Sequence, residues 1–185
     1  MNQNEILDQQ ITELLNAAPQ DPATASAVHL VATVLKTIAQ RLNHAYFFLV
    51  TDSNSNWLLT TLSNRNAPDI EKNVIYAYGD YTSANVDRLE MNSPDLDCQE
   101  YGVLEILLRV LNMKEVDSVI FFQGMNSQNG IEVERRDLEK LCEKQISRAR
   151  FSHQQLKGAY QRQRNRSQAK PHNNPTPPRN DTYLA

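Results

Sequence analysis

The sequence predicts an α+β fold, a three- to four-stranded mostly antiparallel sheet with helices packed mainly on one face, ending in a long C-terminal helix and a disordered tail. Three features of the 185-residue chain predict it. Ala27, Val28, Val31, Val34, Leu35, Ile38 and Leu42 recur at the three-and-four spacing that places them on one helix face. The run at residues 45–50 follows directly, is rich in aromatics and is too short for an ordinary helix, so it reads as a buried strand. From about Glu134 a further helical pattern persists through Leu138, Leu141, Cys142, Ala149, Leu156 and Tyr160.

Each element has its own signal. Leu7, Ile11, Leu14 and Leu15 share a face of a first helix over residues 4–17, and Pro19 and Pro22 separate it from the second, which Asp21 caps. After the first strand, Asp52, Ser53, Asn54, Ser55 and Asn56 form a run of turn residues, and residues 57–62 resume an apolar, Thr-rich pattern, together a hairpin. Residues 63–69 read as loop and 74–78 as a third strand, against a competing helix from Pro68 to Gly79. Residues 80–93 carry a short helix with Val86 and Leu89 inward. The Ser93-Pro94-Asp95 sequence predicts the start of a mostly buried helix through Val103, Leu104, Leu107, Leu108 and Leu111, with Asp95 and Asp97 at its positive end. Residues 119–122 give a fourth strand, closed by a turn-rich segment at 124–130.

The domain organisation follows from where the apolar pattern fades. Residues 1–145 form one α+β globular domain. The last helix would be about 40 Å long, more than a small domain covers, so residues 146–165 are expected to project as a basic helix. Residues 166–185, rich in Gln, Asn, Arg and Pro, are expected to be disordered. Charge divides along the same line. From Ile146 onward eight basic residues face one acid, a charge of +7, and residues 1–145 carry −10. An acidic body with a basic tail predicts electrostatic partners for the tail.

Compact catalytic signatures are missing from the sequence. Phosphate-cradling loops need clustered glycines, and the five here, at 79, 102, 124, 130 and 158, form no such pattern. No G-x-S-x-G turn occurs. His29, His44, His153 and His172 lie far apart without ligand-spaced partners, and His29 and His44 read as partly buried packing residues. Asp52, Asn54 and Asn56 copy the start of a calcium loop, but Trp57 stands where that loop needs Gly and Ser63 where it needs Glu. Cys98 and Cys142 read as free structural thiols, with Asp95, Asp97 and Glu100 raising the pKa of the first. Tyr76, Tyr78, Tyr81 and Tyr101 read as strand and loop packing. No secretory pattern opens the sequence and no run approaches about 18 apolar residues, so a cytoplasmic location and no integral membrane segment are expected.

The resulting functional expectation is a non-catalytic interaction or regulatory protein with no metal or cofactor, acting through its acidic body and long C-terminal helix. Leu156 and Tyr160 are the expected contact residues for another protein or a second copy of the chain. The alternative is binding to nucleic acid or an anionic membrane surface through Arg148, Arg150, Lys157, Arg162, Arg164 and Arg166. The positive charge of that segment spreads over several helix faces, which disfavours a helix lying flat on a membrane. Its few aromatics, Phe151, Tyr160 and Tyr183, are thin for base stacking.

Overall fold

The computed structural model describes residues 2–19, 21–64, 67–124 and 130–168, with side chains outside 64–70, 153 and 155–168. The chain divides into two units, Met1–Ser147 and Arg148–Ala185. In chain order the elements are α1 Gln3–Ala17, α2 Pro22–Ala39, β1 Tyr46–Thr51, β2 Thr60–Asn64, β3 Ala67–Tyr78, α3 Tyr81–Glu90, β4 Asp97–Gly102, α4 Val103–Asn112, β5 Ser118–Phe122, β6 Ile131–Glu134 and α5 Arg135–Gln168. The fold is α+β, and the sheet runs β4-β1-β3-β5-β6 with β2 paired to β3.

The helix starts follow side-chain chemistry. Asn2 and Glu5 form a reciprocal capping box at α1, Asp21 accepts from the Thr24 N–H at 2.8 Å ahead of Pro22, and Asp80 accepts from the Ser83 N–H at 2.8 Å at α3. By length and mean hydropathy α2 is the one described helix that passes the test for a membrane span, a test that core helices also pass. Here its Ala32, Leu35 and Ala39 are buried.

The main core lies on one face of the sheet. Phe47, Leu49, Ile75, Ala77, Val119 and Phe121 form its floor, under Leu7 of α1, Leu35 of α2, Leu104 and Leu107 of α4, and Leu138 of α5. The rings of Phe47 and Phe121 meet edge to face at 4.7 Å. On the other face α3 lays Tyr81 against Phe48 at 5.8 Å, while Tyr78 stacks on Phe122 at 5.3 Å.

The sheet departs from expectation in count and direction, with six strands among the described residues and a mixed arrangement. β3 and β5 pair in parallel from Val74↔Ser118 to Tyr78↔Phe122. Strand direction leaves no trace in an alternation pattern, and the connection between these strands carries α3, β4 and α4. The expected loop at 63–69 gives way to the extension of β3 back to Ala67, and the helical alternative for this segment is excluded. β4 replaces the helix start predicted at Ser93-Pro94-Asp95. Edge strands tolerate polar residues, so Asp97 to Glu100 carries no apolar signal; α4 begins at Val103, and Asp95 and Asp97 precede it without lying in its first turn. Val86 and Leu89, expected inward, are half exposed, because α3 turns Ala84 to the sheet instead.

Candidate interaction surfaces

Where β4 passes into α4, a groove of about 560 Å³ opens beside the sheet edge. Its position is set by Gln10, which is buried on α1 and holds three elements together. The Gln10 Nε2 group donates to the Ala45 carbonyl at 2.8 Å, and its Oε1 accepts from the Leu104 N–H at 3.1 Å. Val103 donates its N–H to the same Ala45 carbonyl at 2.9 Å, which fixes the corner between β4 and α4. Gly102 lets Gln10 come this close to the corner, because a β-carbon there would sit 2.8 Å from the Gln10 side-chain amide carbon.

Leu14, Tyr46 and Leu108 line this groove together with the Glu100 to Gly102 stretch of β4, and Glu13 and Glu105 bring carboxylates from α1 and α4. Arg109 bonds Glu105 at 2.6 Å and lies 5.0 Å over the Trp57 ring and 5.3 Å over Tyr101. The two rings meet edge to face at 5.2 Å, and the Tyr101 hydroxyl donates to Gln99 Oε1 at 2.8 Å. Trp57 Nε1 and Thr51 Oγ1 are buried with no hydrogen-bond partner among the described residues.

A second groove, of about 220 Å³, lies at the opposite edge of the sheet under the start of α5. Ile38, Leu42, Val133 and Leu138 line it, with Ile131 and Leu141 at 39% and 45% exposure. Lys72 spans from β3 to β6, reaching Glu132 at 2.7 Å and Glu134 at 3.2 Å, and the Ser118 hydroxyl donates to Glu132 at 2.5 Å. The hydrogen bond to Glu132 raises the Lys72 pKa above its usual value. Burial pushes the Glu132 carboxyl up, but the hydrogen bonds from Lys72 and Ser118 outweigh it and hold the group below the usual range.

The other displaced groups owe their shifts to packing. Burial raises the Tyr78 hydroxyl strongly, with Asp87 adding to the effect. Burial also raises the Cys98 and Cys142 thiols; beside Cys98, Arg88 opposes the rise and Asp97 reinforces it. Both cysteines are free. His44 is partly buried and its Nε2 lies 3.0 Å from the Gln123 carbonyl, whereas His29 is exposed, contrary to its predicted partial burial. The turn after β1 is a hydrogen-bonded loop in which Asp52 Oδ1 accepts from the Asn54 and Asn56 N–H groups at 2.8 Å each. The Asn56 side-chain amide, which donates to Asp52 Oδ2 at 2.9 Å, holds the Asp52 carboxyl below the usual range, helped by those backbone bonds.

Of the predicted contact residues, Arg148 and Arg150 are exposed on α5. The side chains of Leu156, Tyr160, Lys157, Arg162, Arg164 and Arg166, and the segment 169–185, lie outside the described residues. Phe151, noted in the sequence only as a sparse aromatic, is 63% exposed. Gln10, Trp57 and Arg109 were not singled out as site residues, because their partners are distant in sequence. The one local sign was the spacing of Glu105 and Arg109, four apart on a helix. The sequence matches no protein-family model, and no curated protein matches it.

Proposed function

We propose that the protein is a non-catalytic interaction or regulatory protein, acting through protein–protein contacts of its acidic α+β body and long C-terminal helix. One observation carries this reading: at the base of α5, Leu138 and Cys142 are buried while Leu141 beside them is 45% exposed at the mouth of a groove that also exposes Ile131. Apolar surface of this kind beside an open edge strand is what a partner's side chain covers at the centre of an interface. The partner is another protein or a second copy of the chain. In the separate unit that begins at Arg148, Phe151 is a large exposed aromatic of the type that anchors interfaces. The test substitutes Leu141→Ser and Phe151→Ser together and compares sedimentation and cross-linked complexes with the wild type. Loss of a complex with the fold intact supports the reading; identical complexes, or none with either protein, count against it.

A second reading, binding of a polyanion, is favoured by Arg148 and Arg150, exposed on one helix and without an ion pair among the described residues. The two readings differ in salt dependence, since a polyanion contact weakens steeply with ionic strength and an apolar one does not.

A further inference from the structure

Strand alternation sorts the side chains of the sheet onto two faces. Ile75, Ala77, Val119 and Phe121 turn to the main core, so Val74, Tyr76 and Tyr78 of β3 share the outer face with Ser118, Ile120 and Phe122 of β5. α3 lies on part of this face, burying Ala84 and setting Tyr81 against Phe48. Beside α3 the floor stays open, and Tyr76, Ile120 and Phe122 are each only half-buried.

Three rings meet on this floor. Tyr78 and Phe122 stack with planes 16° apart, and Tyr76 stands across them at 72° and 70°, its centroid 6.5 Å and 5.5 Å from theirs. Asp87 of α3 is their charged neighbour. Burial raises the Tyr76 and Tyr78 hydroxyls, and the Asp87 charge adds to the rise in both, so its carboxylate faces the two side chains. It accepts a hydrogen bond from the Tyr78 hydroxyl and keeps capacity for further donors. Asp87 forms no ion pair among the described residues. The adjacent Arg88 is engaged elsewhere, donating to Asn85 Oδ1 at 2.9 Å and to the Leu96 carbonyl at 3.4 Å.

Another part of the same molecule shows what such a set of groups holds. Glu105 on α4 and the rings of Trp57 and Tyr101 are joined by the Arg109 guanidinium, which bonds the carboxylate at 2.6 Å and lies 5.0 Å and 5.3 Å over the rings. The outer face repeats the helix carboxylate and the rings, but no cation of the described residues lies over Tyr76, Tyr78 or Phe122. A guanidinium suits these groups better than an ammonium, because it is planar, stacks on an aromatic face and donates in a fork that matches a carboxylate. Small-molecule sites are concave, whereas this floor is an open sheet face, which suits a side chain carried by a larger partner.

We propose that the outer sheet face beside α3 binds an arginine side chain of a partner protein, with the guanidinium stacked on Tyr76 and bonded to Asp87. This surface is on the opposite side of the sheet from Leu138 and the main core, so its failure leaves the reading based on Leu141 untouched.

The probe is the blocked tripeptide acetyl-Gly-Arg-Gly-amide, titrated into the full chain and followed by amide NMR. Saturable shifts are expected at Tyr76, Asp87 and Phe122. The same peptide with citrulline in place of arginine keeps the shape without the charge, and is expected to bind about tenfold more weakly. The lysine peptide keeps the charge without the plane and is also expected to bind more weakly. Asp87→Asn, which can still accept from the Tyr78 hydroxyl, is expected to weaken binding of the arginine peptide about tenfold. Tyr76→Leu keeps apolar bulk and removes the ring, for an expected loss of about threefold. Circular dichroism of both variants should match the wild type. Absence of saturable binding, equal affinity for the arginine peptide and either comparison peptide, equal affinity for wild type and either variant, or shifts confined to residues away from Asp87 would each overturn the proposal.

Discussion

Gln10 and Gly102 are in such close contact that a β-carbon on Gly102 would lie 2.8 Å from Cδ of the glutamine. Gln10 has no room to retreat, because its amide is committed on both sides, to the Ala45 carbonyl and the Leu104 N–H. Gly102→Ala is therefore expected to break at least one of these buried bonds and destabilise the body by about 1–3 kcal/mol. Gln10→Ala is expected to cost a similar amount, since it leaves the Leu104 N–H unpaired. The double variant is expected to be less destabilised than the sum of the two, because removing the glutamine opens the space that the new methyl needs. Urea unfolding of the four proteins tests this, and simple additivity would disprove the coupling.

The stack of Arg109 on Trp57 and Tyr101 has an optical consequence, because Trp57 is the chain's one tryptophan. Arg109→Gln removes the guanidinium from the ring face and the ion pair to Glu105. A stability loss of about 1 kcal/mol or less is expected, as Arg109 is substantially exposed. The tryptophan emission should nevertheless change clearly in the folded state. An unchanged spectrum would mean that the ring and the guanidinium are not in contact in solution.

The link from Lys72 to Glu132 and Glu134 predicts a dependence on pH. Glu132 has a pKa held below its unfolded value, so its contribution is fully present above that value, about 4.3, and is lost as pH falls through the folded one. Lys72 has a raised pKa, so its contribution is complete below about 10.4 and is lost as pH rises through its folded value. Both are in place at pH 7. Glu132→Gln should therefore lower the urea midpoint at pH 7, and the gap to wild type should close as pH falls from 5 to 3. A gap that stays constant over that range would contradict the assignment.

The basic segment makes a prediction independent of the body. If Arg148, Arg150, Lys157, Arg162, Arg164 and Arg166 hold a polyanion, binding to duplex DNA, RNA or anionic vesicles should fall steeply between low and moderate salt and weaken when Arg148 and Arg150 are changed to Gln. Ending the chain at Gln161 should weaken it further. Equal and negligible binding by all three proteins removes this reading.

The legibility of this fold in the sequence tracks how locally each signal is written. The Asp21-Pro22 start of α2 and the aromatic run of β1 depend on neighbours within a few residues, and both were readable, whereas the Asp80 cap of α3 was not singled out. β4 and β6 were missed because they are edge strands, with polar residues such as Gln99, Glu100, Glu132 and Glu134 whose role depends on strands far away in sequence. The same reason hid Gln10, which looks like an ordinary polar residue of a surface helix until Ala45 and Leu104 are brought to it. Val86 and Leu89 misled in the opposite direction, since an apolar spacing on α3 was taken for a buried face and is instead exposed. Among the functional residues, the apolar pattern along α5 was legible, but which of its members stay exposed within the body was not. Leu138 and Leu141 are both leucines three positions apart, yet Leu138 joins the main core and Leu141 stays 45% exposed.

The central claim is that the base of α5 is a protein-contact surface. Its most direct test is photo-cross-linking in cells from a benzophenone side chain placed at position 141, with the same group at the exposed turn residue Ser53 as the control. A discrete adduct to one protein, or to a second copy of the chain, is predicted from position 141 and not from position 53. No adduct from 141, or the same adducts from both positions, would contradict the account.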